Sequence, residues 1–80
     1  MWVVSKNRQK VVNAVAIKVE NGNDITVEAP GGARLQMGNY ASIDDCLQII
    51  EDFVKAIETN PNGVYYLPKS KKEDSILRGL

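Results

Sequence analysis

The chain has no histidine, one cysteine, one tryptophan and one phenylalanine, and its ten Lys and Arg are balanced by ten Asp and Glu. Each scarcity excludes something. Without His, the commonest general base near neutral pH and the commonest transition-metal ligand are missing. A lone Cys46 can form no internal disulfide, and nothing nearby in the sequence offers the base that would make it a nucleophile. No apolar run approaches the roughly 20 residues of a membrane span, and the first residues lack the basic start and apolar stretch of a secretion signal. A cytoplasmic protein without membrane partner, catalytic residues, metal ligands or cofactor is the expectation.

What is present suffices for a folded domain. Eighty residues at 8.8 kDa, 44% of them hydrophobic, allow one domain, although chains of this size bury only roughly 60% of their unfolded surface. A deep internal substrate cavity is therefore not expected. Trp2-Val3-Val4 reads as a first strand and Ser5 to Lys10 as its turn. Residues 11–20 read as the partner strand, with clean alternation in the second half leaving one face wet. Asn21-Gly22-Asn23 is a hairpin signal, because Asn and Gly tolerate positive φ. Ile25, Val27 and Ala29 continue the pattern until Pro30-Gly31-Gly32 turns the chain. Ala33, Leu35 and Met37 then alternate with Arg34 and Gln36, and Gly38-Asn39 is read as the end of that run.

From Ile43 the period changes. Apolar residues at 43, 46, 47, 50, 53, 54 and 57 predict a helix buried along that stripe. Ser42 is its N-cap, and Asp44 and Asp45 sit where the helix dipole favours negative charge. Thr59 to Gly63 stops the helix, Val64 to Leu67 forms a last short strand, and Pro68 ends it. The expected fold is α+β: an antiparallel meander of four to five strands with one amphipathic helix on one face, in two layers. Residues 1–68 form the domain, and 69–80 a charged, flexible tail.

Three feature classes could carry function. Charge is segregated: residues 1–18 hold four bases and no acid, 19–58 two bases against eight acids, and 59–80 four bases against two acids. Lys6, Arg8 and Lys10 in the first loop, with Arg34, could contact phosphate, which would make a nucleic-acid or nucleotide binder. The alternative is solvated loops, since no recognition helix or RNA-binding aromatic signature accompanies them. Pro30-Gly31-Gly32 and Gly38 match neither a phosphate loop nor a dinucleotide fingerprint. Asp44, Asp45, Glu51 and Asp52 are adjacent pairs rather than ligands spaced around a cation loop, and read as a wet helix face. Finally, Tyr65 and Tyr66 must point to opposite sides of an extended segment, so one ring is exposed or at a boundary. An exposed aromatic near Lys or Arg suits protein contact. Lys6, Arg8, Lys10, Lys18, Arg34 and Tyr66 are the candidate binding residues, with a protein as the preferred partner and homodimerisation through the short first and last strands, expected at edges, as a further possibility.

Several segments carry a resemblance. Met1-Trp2-Val3-Val4-Ser5, Leu35-Gln36-Met37-Gly38-Asn39-Tyr40, Ser42-Ile43-Asp44-Asp45-Cys46 and Val64-Tyr65-Tyr66-Leu67-Pro68 together resemble a group of small proteins of unknown function from phages, prophages and genomes of Gram-positive bacteria. The likeness spans residues 2–68 and rests on fold-punctuating residues. It departs from the group's pattern in Met37 and in Cys46, where a small Ala is usual. It implies no activity. It implies a setting in which small accessory proteins work by binding a component of host or virion.

Overall fold

A computed structural model describes residues 1–69. The chain runs β1 (Trp2–Val4), β2 (Val11–Asn13), β3 (Ala16–Glu20), β4 (Asp24–Glu28), β5 (Arg34–Asn39), α1 (Ile43–Thr59) and β6 (Val64–Tyr66). It is an α+β fold with two three-stranded sheets, ordered β2-β1-β6 and β3-β4-β5. From β1 to β5 every consecutive paired strand is antiparallel; β6 returns beside β1 in parallel. The expected tail falls, from residue 70 onward, outside the described residues.

The expected strand over 11–20 is broken, which makes six strands of the expected four to five. The amide of Ala14 donates to Met1 O at 3.0 Å, on the β1 side, and that of Val15 donates to Glu28 O at 2.8 Å, on the β4 side. The chain thus passes from one sheet to the other at this point. The inward parity changes with it, from Val12 and Ala14 to Ile17 and Val19. Beyond β1, Lys6 N–H donates to Met37 O at 2.8 Å. The two sheets are therefore joined by the short break between β2 and β3, meet again where Lys6 reaches β5, and pack around one core.

Local chemistry sets the punctuation. Asn21 and Gly22 adopt φ of +53° and +82°, as the hairpin signal requires. β5 ends at Asn39, within the expected Gly38-Asn39 stop, with Gly38 still inside the strand. A Cβ at Gly38 would lie 3.0 Å from the Tyr40 ring and 3.2 Å from Lys6 Cβ, so close approach, not a turn, favours glycine there. A register shift beside Ile25 leaves Met37 as an extra residue in β5, and its side chain is buried. Ser42 caps α1 by accepting from the Asp45 amide at 3.2 Å.

The helix packs differently from the expected stripe. Its buried residues are Cys46, Ile49 and Phe53, while Ile43, Leu47, Val54 and Ile57 are exposed and Ile50 is half-buried. The seven expected positions span two adjacent stripes of one helix, wider than a small curved sheet can cover. Cys46, Ile49 and Phe53 join Val3, Ile25, Val27, Met37, Tyr40 and Leu67 in a single cluster. Phe53 meets Tyr65 edge-on, with ring centroids 5.4 Å apart and planes at 84°. Burying each large side chain contributes roughly 1.5–3 kcal/mol.

Candidate binding surfaces

The β1–β2 loop positions the first three candidate cations. Ser5 is buried and its Oγ is the loop's hub: it donates to Asn7 Oδ1 at 2.7 Å and accepts from the amides of Gln9 at 3.2 Å and Lys10 at 3.0 Å. Arg8 takes a φ of +65°. From there its Nη1 donates to Ser5 O at 3.0 Å and to Leu67 O at 2.7 Å. Lys6 Nζ donates to Asn39 O at 2.9 Å and lies 4.9 Å from the Tyr40 ring centroid. Lys10 Nζ donates to Gln36 O at 3.2 Å. All three cations therefore tie the loop to neighbouring backbone.

Lys6 and Lys10 flank a cleft of about 360 Å³ whose wall is completed by Ser5, Asn7 and the Gln36–Asn39 stretch of β5. Arg8 points elsewhere, its guanidinium 5.4 Å from the Tyr66 ring centroid. Lys18 and Arg34 lie on the outer face of the second sheet, where Lys18, Thr26 and Gln36 are in cross-strand register and Glu28 faces Arg34. Both approach Glu20, at 3.6 and 4.0 Å. The six candidate residues are thus divided among three surfaces. The structure joins Lys6 to Lys10 and Arg8 to Tyr66; it does not bring Lys18 or Arg34 to either pair.

Around Tyr66 lies a surface that reasoning from charge had missed. Register places Trp2, Asn13 and Val64 side by side, and Val4, Val11 and Tyr66 side by side, all on one face of the first sheet. Val4, in the centre, is 7% exposed, whereas Trp2, Val11, Val64 and Tyr66 around it are 47, 59, 53 and 58% exposed. The opposite face, with Val3, Val12 and Tyr65, packs into the core. A strand apolar on both faces was the available signal: Trp2, Val3 and Val4 leave no wet position. Contiguous exposed apolar surface of this kind marks contact sites.

Titratable groups have structural explanations. Asp24 accepts from Asn39 Nδ2 at 2.6 Å, Gln36 Nε2 at 2.9 Å and Asn21 Nδ2 at 3.3 Å. Asn39 first, then Asn21, hold its carboxyl below the usual value. Burial, followed by the charges of Asp45 and Asp24, pushes the Cys46 thiol up, away from the reactive thiolate. Burial, with Asp52 adding to it, pushes Tyr65 up to about 12. Among the described residues no group of three His, Cys, Asp or Glu side chains could hold a metal ion, and no helix is long and apolar enough to cross a membrane.

These features define a small two-sheet α+β domain with an apolar, aromatic sheet face. Comparisons of the chain with protein-family models, curated proteins and solved structures find no match.

Proposed function

We propose that the protein is a non-enzymatic binding module of the phage or prophage accessory kind, acting in the cytoplasm of a bacterial host through a protein partner. The observation that carries this reading is the sheet face of Trp2, Val11, Val64 and Tyr66, apolar and about half exposed. Large rings contribute contact area at small entropic cost, and Trp, Tyr and Arg are the residues that dominate interface energetics. Arg8 beside Tyr66 supplies the cation. A photo-crosslinking residue at position 66 should give a discrete protein adduct in a Gram-positive host lysate, lost on Trp2→Ser, while the same residue at position 36, on the other sheet, gives none. Identical adducts from both positions, or none from either, would overturn it.

A second reading, binding of a nucleotide or nucleic acid, is favoured by Lys6 and Lys10 flanking one polar cleft. It is the weaker one, because the two ammonium groups already donate to Asn39 O and Gln36 O, and Lys18 and Arg34 sit beside Glu20 on another face. Polynucleotide binding requires salt-dependent retardation that Lys6→Glu with Lys10→Glu abolishes. Retardation unchanged in that double variant would sink it.

A further inference from the structure

The helix carries a second unsatisfied surface, on the inner side of the first sheet and so away from the Trp2 face. Ile43, Leu47, Ile50, Val54 and Ile57 are spaced by four, three, four and three residues. That is the a/d seam of a heptad repeat, the pattern that receives another helix. Ile43, Leu47 and Val54 are about half exposed, and Ile57 is 39% exposed. At 100° per residue the seam lies beside the buried Cys46–Phe53 stripe and across the helix axis from Asp45, Gln48 and Asp52. Those three line a different cleft, against Tyr40 and Pro68.

Charge says what the seam would take. Its solvent-side flank is a row of exposed acids, Asp44, Glu51 and Glu58, at heptad spacing. Its other flank is the buried stripe. Asp44 is accounted for by the helix N-terminus. Glu51 stands one turn before Lys55, and Glu58 occupies the last turn, where an acid opposes the dipole and where no base is present. Two copies packed antiparallel across a two-fold axis would set Glu51 against Glu51 and Asp44 against Glu58, like charge on like at each flanking position. A helix carrying Lys or Arg beside its own apolar seam meets opposite charge along the whole row.

We propose that the α1 seam docks an amphipathic helix of a partner protein whose flank is basic. The chemistry is apolar a/d residues inserted between Leu47, Ile50 and Val54, and cations laid along Asp44, Glu51 and Glu58.

The test uses the full chain, isotope-labelled, titrated with two synthetic helical peptides that share Leu a/d positions and differ only in flanking Lys or Glu. The Lys-flanked peptide should bind, shift the amides of α1, and weaken as salt rises. Leu47→Lys should reduce its affinity by about tenfold or more, corresponding to one lost buried Leu, with the circular dichroism of the chain unchanged. Glu51→Lys with Glu58→Lys should reverse the preference between the peptides. Equal affinity for both peptides, no binding of the Lys-flanked one, or insensitivity to Leu47→Lys would overturn the proposal. So would a dimer in light scattering that Leu47→Lys dissolves, which assigns the seam to a second copy. Nuclear Overhauser contacts from Leu47 to Ile76, Leu77 or Leu80 in the free chain would overturn it too, by assigning the seam to the chain's own last residues.

Discussion

The guanidinium of Arg8 stands 5.4 Å from the centroid of the Tyr66 ring while its Nη1 donates to Leu67 O at 2.7 Å. One side chain thereby links the first loop to the last strand. A cationic hydrogen bond contributes about 1.5–3 kcal/mol and an exposed cation–π contact about 0.5–1 kcal/mol. The positive φ of Arg8 costs on the order of 1 kcal/mol whatever L side chain stands there. Arg8→Ala keeps that strain and loses both contacts, so denaturant unfolding should show a loss of about 1–3 kcal/mol. A change under 0.5 kcal/mol would mean that the contacts add nothing in solution.

Ser5 offers a sharper case, because its Oγ serves three partners from a buried position. Ser5→Ala orphans the Lys10 amide and leaves the Gln9 amide with Asn7 Oδ1, at 3.0 Å, as its remaining acceptor. A loss of about 1–3 kcal/mol is expected, with faster hydrogen exchange confined at first to residues 7–10.

Neighbouring helix residues should respond oppositely. Phe53→Ala removes a buried ring in contact with Tyr65 and should cost about 3–5 kcal/mol, a large share of the roughly 5–15 kcal/mol typical of a domain. Val54→Ser, one residue on and exposed, should stay within about 0.5 kcal/mol. Thermal midpoints separate the two readily, since 1 kcal/mol shifts a domain of this size by about 4–8 °C.

Two groups set the pH response. Asp24 has a folded pKa below its ordinary value, so its contribution is present above pH 3.8 and is lost as pH falls through the depressed value. Asp24→Asn should flatten the acid limb of the stability curve. Tyr65 is raised from 10 to about 12, so the folded state holds the phenolic proton more tightly. That contribution is complete below pH 10 and disappears as pH rises toward 12. A tyrosinate absorbance step near 12 should vanish in Tyr65→Phe; its persistence would refute the assignment.

Cys46 is 0% exposed and its thiol is pushed up by burial. A disulfide reagent should label the native chain only as fast as it unfolds globally. Rapid native labelling would contradict the packing of α1.

Local signals were legible and long-range ones were not. Ser42 capping Asp45, the Asn21-Gly22 turn and the opposed rings of Tyr65 and Tyr66 each depend on residues a few positions apart, and each stands in the structure. The hydrophobic stripe identified α1 but not its buried side, because two apolar stripes adjoin and only the facing sheet decides between them. Ile49 was missed for that reason. Of the two short strands expected at edges, β6 lies at one but β1 is central, a pairing set by residues far apart in the chain. The cations at 6, 8 and 10 read as free surface from composition alone; the carbonyls that receive them come from β5 and from Leu67.

The parallel pairing of β1 with β6 has a bearing on synthesis. Trp2 to Val4 are made well before their second partner, Val64 to Tyr66, which is translated only after the whole of α1. The β3–β4–β5 hairpins close locally and can form early, whereas the first sheet must wait until β6 has been made. During that interval Trp2, Val3 and Val4 form an apolar strand with one unpaired edge, which is the segment a nascent-chain chaperone would meet.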